Sequence, residues 1–349
     1  MGGWDATKID TAAMKISRGA CVIPLLAVVL MFAVVVAMMS GAYPVTLDGV
    51  SGALARLWSG EAPQTAEERV LLSIRAPRVI AGLLVGAALA SAGVVYQGLF
   101  RNPLVSPDIL GVSAGAGLGA VLGIFLSLPL AAIQGLAFAG GLATVGLVYV
   151  IASAVRGRDP TLVLILGGVV VGALAGAAIS LLKILADPYD QLPAITFWLL
   201  GSLASTRGAE ITGALPAVLL GLVPLILLRW RINVLSLGDE EARALGVEAG
   251  RLRAVVIAAA TLMTASVVAI SGVIGWVGLV IPHVARMMVG PNFERLLPPA
   301  MLMGASYLVL VDLLARSIAR IEVPIGILTA IVGAPFFLWL LWRGRHGWS

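Results

Sequence analysis

In a chain this poor in charge, the ionisable side chains that interrupt its apolar runs are the ones whose placement could do chemistry. Of 349 residues 12% are charged and 60% hydrophobic, against about 25% charged in a soluble domain. Asp312 stands alone deep in an apolar run, where an unpartnered carboxylate costs several kcal/mol, so it needs a cation or a proton. Arg316, one helical turn further on, is the obvious candidate in the sequence. Arg75 and Arg78 flank Ala76-Pro77 at the head of a second apolar run, and His283 with Arg286 occupies a third. Such groups suit internal ion pairing, proton coupling or, for the histidine, ligation. Absences narrow the field further. No Gly-Lys pair exists, so no Walker-type phosphate loop can form, and three lysines with no paired Cys/His cluster offer nothing to nucleotide hydrolysis or metal catalysis. No catalytic, cofactor-binding or metal-ligating residue is therefore assigned, and energy for any work must come from another chain. Cys21, the single cysteine, cannot form an internal disulfide.

The elements that position these groups are membrane helices. Mean hydropathy is +1.04, and each crossing of a hydrocarbon core roughly 30 Å thick takes about 20 apolar residues. Uncharged runs predict ten helices, at 20–42, 79–100, 109–127, 130–154, 161–182, 212–228, 254–272, a short one at 274–288, then 296–315 and 324–342. The run 192–205 is too short to span and reads as a re-entrant or outer-surface helix. Residues 43–73, with Glu61, Glu67, Glu68 and Arg69, form the longest polar connection; Arg156-Gly-Arg-Asp-Pro160 and Asp187-Pro-Tyr-Asp190 mark further turns. The fold class is thus an all-α polytopic membrane protein, one domain over 1–349 with a cytoplasmic segment at 1–19. Lys8, Lys15 and Arg18 precede a first run that is long and lacks a small-residue cleavage site, so it reads as a retained helix. With an inside amino terminus, about 15 Lys/Arg fall in inside loops and 8 outside, the bias of the positive-inside rule. Both termini are expected in the cytoplasm, the basic tail Trp342-Arg-Gly-Arg-His346 included.

Small residues recur every four positions at Gly82, Gly86 and Ala90, at Gly115, Gly119 and Gly123, and at Gly172 and Gly176. Such stripes let backbones approach where lipid provides no hydrophobic drive for association. The polar break Arg101-Asn-Pro-Leu-Val-Ser-Pro-Asp108 contains Pro103 and Pro107, which cannot continue a helix, and Asp108, which can accept from the free N–H groups opening the next one. Pro103-Leu-Val-Ser-Pro107 and Gly278-Leu-Val-Ile-Pro282 form a weak internal echo. The most charged block of the second half, 237–253, reads as two short helices broken at Gly246, with Leu237, Ala242 and Leu245 on an apolar side and Glu240, Glu241 and Arg243 facing water.

Four motifs in order carry a resemblance. Arg75-Ala-Pro-Arg78 leads to Gln97-Gly-Leu-Phe-Arg-Asn-Pro-Leu-Val-Ser-Pro-Asp-Ile-Leu-Gly-Val-Ser-Ala-Gly-Ala116; then come the 237–253 block, Gly278-Leu-Val-Ile-Pro-His-Val-Ala-Arg286, and Pro324-Ile-Gly-Ile-Leu-Thr-Ala-Ile-Val-Gly-Ala-Pro-Phe-Phe337. Together they resemble the FecCD/BtuC-type permease subunits of ABC importers for iron-siderophore, haem or cobalamin. The resemblance implies a BtuC-like fold with pseudo-symmetric halves, two copies around a central path, and two cytoplasmic ATP-binding subunits docked on coupling helices that include Leu237, Gly238, Glu240, Glu241, Arg243, Leu245 and Gly246. It implies an extracytoplasmic binding protein meeting Arg75, Arg78 and Arg316, for which plain interfacial snorkelling is the alternative. Thr161 matches the first of two small polar residues of an inner gate in a relative, but the second position is Leu162, so that gate does not carry over whole. Asn102, Pro103, Pro282, His283 and Asp312 belong to the shared motifs, and the presence of His283 irrespective of cargo favours a structural role over ligation. The location implied is the bacterial cytoplasmic (inner) membrane. Relatives also carry oxyanions such as molybdate, and a proton-coupled carrier using Asp312 is the alternative from another class.

Overall fold

The computed structural model describes the backbone of residues 6–41, 43–155 and 159–343, with side chains at 21–41, 43–155, 159–340 and 342. The tail beyond Arg343, the turn residues 156–158 and the side chains of Lys8, Lys15 and Arg18 lie outside the described residues. In chain order the helices are α1 (Ala6–Met39), α2 (Leu47–Ser59), α3 (Ala66–Arg69), α4 (Ala76–Leu99), α5 (Val112–Phe125), α6 (Leu130–Ala154), α7 (Pro160–Leu185), α8 (Gln191–Leu200), α9 (Gly208–Leu227), α10 (Arg229–Leu235), α11 (Asp239–Ala244), α12 (Ala249–Ser271), α13 (Val277–Val289), α14 (Phe293–Ala315) and α15 (Ile325–Arg343). Among the described residues no strand occurs.

A helix stands at each of the ten expected positions, and the short run after α7 forms α8. Among the described residues seven stretches are long and apolar enough to cross a bilayer: Cys21–Met39 of α1, the continuous run Ala66–Leu99, and α6, α7, α9, α12 and α14. Two expectations need correction. The first helix begins at Ala6, and the polar connection 43–73 is largely helical. Thr46 caps α2 by accepting from Gly49 N–H, and Gly60 ends it with φ of 70°. Thr65 and Glu68 form a reciprocal capping box on α3. Between α3 and α4 the chain widens into a π turn, Val70–Arg75. Pro77 has no N–H to offer the preceding turn, and a π turn relieves that mismatch without breaking the helix. Polar composition concealed these helices because their apolar positions are spaced around short caps.

Three helices make the centre. The most apolar stretches of α4, α12 and α14 are 78%, 72% and 61% buried, whereas those of α1, α6, α7 and α9 are only 17–28% buried and form the outer layer of the chain. Contact between α4 and α14 depends on a reciprocal glycine pair. A Cβ added at Gly86 would collide with the Gly304 carbonyl, and one at Gly304 would lie 2.6 Å from Ala90 Cβ. The stripe Gly115/Gly119/Gly123 meets α6 in the same way, at Thr144, Leu136 and Ile133. In the third stripe a Cβ on Gly172 would reach Ala114 Cβ at 4.0 Å, an ordinary contact, whereas Gly176 meets nothing within 4 Å.

Candidate functional site

At the N-terminal end of α4 the sequence-predicted arginines come together with α14 and the loop after it. Arg78 Nε donates to both oxygens of Asp312 at 2.8 Å, and its other two nitrogens donate to Glu322 at 3.1 and 2.5 Å. Ser202 donates to the same glutamate at 3.2 Å. Arg316 donates to the Ala37 carbonyl and stands 3.8 Å from Asp312. Arg75 donates to the carbonyls of Met38 and Tyr43 at 2.6 and 2.5 Å. The partner of Asp312 is therefore Arg78, 234 residues away in sequence, rather than Arg316, which stands farther off. A planar guanidinium can grip one carboxylate while its far edge grips another, and Arg78 does both.

Burial decides how these arginines function. Arg75 is 3% and Arg78 9% exposed, and Asp312 only 2%. Their cationic heads are turned into the chain's own carbonyls and carboxylates, so snorkelling to headgroups does not describe them. Nor does a row of free guanidiniums at a rim. Glu322, with 29% of its side chain exposed, is the open member of the group. Breaking a buried pair of this kind leaves an uncompensated charge.

At the other end of α4 the break 100–111 is held by its own polar groups. Leu104 N–H donates to Asn102 Oδ1 at 2.9 Å, fixing the turn through Pro103. Asp108 lies in a 3-10 turn, Pro107–Leu110, and accepts from the Ser113 hydroxyl. It does not cap the next helix: α5 starts after Gly111, whose φ of 79° sets the entry. Gln97 donates to the Leu279 carbonyl at 3.1 Å, and a Cβ on Gly278 would lie 2.5 Å from Pro107. The two echoing Pro/Gly motifs thus touch one another, tying α4 to α13. Pro282 packs on Gly93, while His283 Nδ1 is buried without a hydrogen bond among the described residues. Trp276, which the sequence did not single out, adopts φ of 71° and wedges its ring against Gly333 and edge-on to Phe337 of α15. A bulky residue in the left-handed region is strained and must be held by its surroundings. Only the glycine three residues before Phe336 hinted at it.

The charged block 237–253 lies near Arg101, since a Cβ on Gly238 would sit 3.5 Å from its guanidinium. It is therefore about 35 Å from Arg78 along α4, at 1.5 Å per residue. The block forms one short helix, α11, not two; the expected second helix is the first turn of α12. Gly246 (φ 75°) ends α11: its N–H bonds to Arg243 O and the Val247 N–H to Ala242 O, the Schellman arrangement. Arg253 anchors the front of α11 by a 2.7 Å ion pair to Asp239. Ala242 is buried, whereas Leu237 and Leu245 are 60% and 53% exposed beside exposed Glu240, Glu241 and Arg243. The expected apolar side is thus split, with alanine inward and leucines outward. Thr161 starts α7, its N–H capped by Asp159 at 2.8 Å, and Leu162 beside it is 48% exposed.

Comparison with known proteins places this geometry. The chain is 44% identical over 281 residues to the molybdate import system permease protein MolB of Haemophilus influenzae, covering 80% of this chain and 83% of that one. It is 45% identical over 276 residues to an iron chelatin transport system permease protein of Helicobacter pylori, covering 79% and 83%. A solved structure of a metal-chelate type ABC transporter in an inward-facing conformation superposes with a TM-score of 0.83 at 39% identity, covering 93% of this chain and 99% of that one. The model of the FecCD transport family matches residues 29–343, from the first membrane helix to the end of α15, and the chain belongs to that family.

Proposed function

We propose that this chain is the membrane-spanning permease of an ATP-driven importer for a metal chelate, an iron complex first among them. Two copies enclose the path, two ATP-binding subunits dock at α11, and an extracytoplasmic binding protein delivers cargo at the Arg78 end. The observation that carries the reading is the exposed pair Leu237 and Leu245 flanking a short helix that is anchored at its front by the Arg253–Asp239 ion pair and closed behind by the turn at Gly246. An apolar pair ringed by charges on a rigid mount is suited to a groove in another protein. The chain brings no phosphate-binding loop of its own, so ATP hydrolysis is assigned to that partner. Ten crossings, formed by α1, α4–α7, α9 and α12–α15, with both termini cytoplasmic in the inner membrane, agree with the charge bias of the loops. Thr161 and Leu162 mark the inner mouth in this arrangement. The buried arginines 75, 78 and 316 brace the surface on which the binding protein sits, with Glu322 the group it meets first.

A molybdate cargo is the second reading, supported by the likeness to a molybdate permease. Proton coupling through Asp312 is the third; its carboxylate is held by Arg78, which favours a fixed charge over a shuttling proton. Uptake into liposomes holding this chain and its ATPase tests all three, using a ferric siderophore, haem, cobalamin and molybdate, each with its binding protein. ATP-dependent accumulation of an iron chelate is the expected result. Uptake driven by a pH gradient, and lost in Asp312→Asn, would replace the importer reading with a secondary carrier.

A further inference from the structure

A cavity of about 400 Å³ opens where α9 gives way to α10 and meets the head of α12. Its floor is apolar, with Leu228, Leu252 and Val255, and its rim carries Arg231, Arg251 and Glu248. Arg251 shares its charge with Glu248 at 2.9 Å, both exposed. Arg231 makes no hydrogen bond or ion pair among the described residues, while Arg229, two positions earlier, is held by Glu294 at 2.9 Å. The rim therefore has two guanidiniums against one carboxylate, and one of them is unengaged.

The surface leading into this cavity is apolar and exposed. Leu220 and Leu227 on α9 are 68% and 77% exposed, in a helix long and apolar enough to cross the bilayer, and Val255 at the cavity itself is 44% exposed. Where that apolar face ends, Arg229-Trp230-Arg231 follows, with Trp230 55% exposed. Tryptophan and arginine at the end of a membrane helix sit at headgroup level. A concave site with spare guanidiniums at that depth, floored by leucine and valine, matches a phosphodiester with acyl chains below it.

We infer that this cavity binds the headgroup of an anionic phospholipid, its phosphate between Arg231 and Arg251 and an acyl chain running past Val255 toward Leu227. The inference does not depend on cargo or on ATP, only on the chain lying in a bilayer. Gly246 and Val247, at the end of the block where the ATP-binding subunits are proposed to dock, also line the cavity, and its apolar edge continues onto the exposed face of α9. Free phosphate would gain nothing from the apolar floor.

Native mass spectrometry of the full purified chain titrated with phosphatidylglycerol and, separately, phosphatidylcholine tests it. Phosphatidylglycerol is expected to bind about tenfold more tightly, and Arg231→Gln combined with Arg251→Gln to remove that preference. Arg320→Gln, at an exposed site on the loop after α14, should retain it. Glu248→Gln, which removes the one acid of the rim, should strengthen the preference and keeps the test informative if the double variant folds poorly. Equal binding of the two lipids, a preference that survives loss of both arginines, or displacement of the lipid by millimolar inorganic phosphate would each overturn the proposal.

Discussion

The Arg78 end of α4 and the α11 end handle polar and apolar groups in opposite senses. At the first, Arg75, Arg78, Asp312 and Arg316 are turned inward and satisfied by the chain itself, bringing α1, α4, α14 and the loop before α15 to one point. At the second, Leu237 and Leu245 are turned outward on either side of α11, which a positive-φ glycine flanks at each end. In the arrangement proposed above, the region complete in itself transmits force as a rigid body, and the region with its leucines outward is where force enters. In a bistable bundle, small moves of the second can be passed to the first through the central helices.

The comparison breaks most clearly at α11. Leu237→Glu with Leu245→Glu should weaken ATPase association about a thousandfold, taking about 2 kcal/mol for each central contact. Pull-down of the ATPase checks this, and the melting temperature of the permease alone should hold, because neither leucine is buried. Next in size is Asp312→Ala, which leaves Arg78 half unpaired and should cost about 3–5 kcal/mol of stability, read as a lower melting temperature in detergent. Arg78→Met with Asp312→Leu should recover much of that loss; if it does not, the cluster does more than neutralise charge. Smaller again, Gly86→Ala should cost about 1–3 kcal/mol by overpacking against Gly304, while Gly176→Ala, with open space around it, should be neutral or stabilising by up to about 1 kcal/mol. Glu322→Gln should have the least effect on stability, about 1 kcal/mol, since its side chain is partly hydrated.

The sequence conveyed the helices well where apolar runs are long, and α6 begins and ends where the run predicts. It failed where helices are short or polar: α2 and the π turn before α4 are built from caps and a proline, signals too local to stand out in an apolar scan. Arg78 with Asp312 and Glu322 could not be read because the partners lie 234 and 244 residues apart, and the nearer Arg316 satisfied the one-turn rule that applies along a single helix. The Gln97 and Pro107 motifs were visible as patterns, but their reason, contact with Leu279 and Gly278, is tertiary. Trp276 left no mark at its own position, since a positive φ shows in sequence only when glycine or asparagine adopts it; the one trace was Gly333, against which its ring packs.

Helix α13 has 13 residues and α5 has 14, which at 1.5 Å per residue gives about 20 Å, some 10 Å less than the hydrocarbon core. In the ten-crossing arrangement proposed above, irregular backbone makes up the difference at membrane depth, and it survives there only if the protein itself supplies hydrogen bonds. It does so before α13: Gly272 N–H bonds back to Val268 O, Ser202 N–H bonds to Ser271 O, and Ile325 N–H to Gly201 O. The ends of α8, α12 and α15 are thus stitched by main-chain bonds, to which the Ser271 hydroxyl adds donation to the Val267 and Gly272 carbonyls. That stitching depends on three glycines: a Cβ on Gly201 (φ 72°) would lie 2.6 Å from the Val273 carbonyl, and Cβ atoms on Gly272 (φ 67°) and Gly326 would collide with the carbonyls of Trp198 and Leu200, so a side chain at any of the three would unpick the junction.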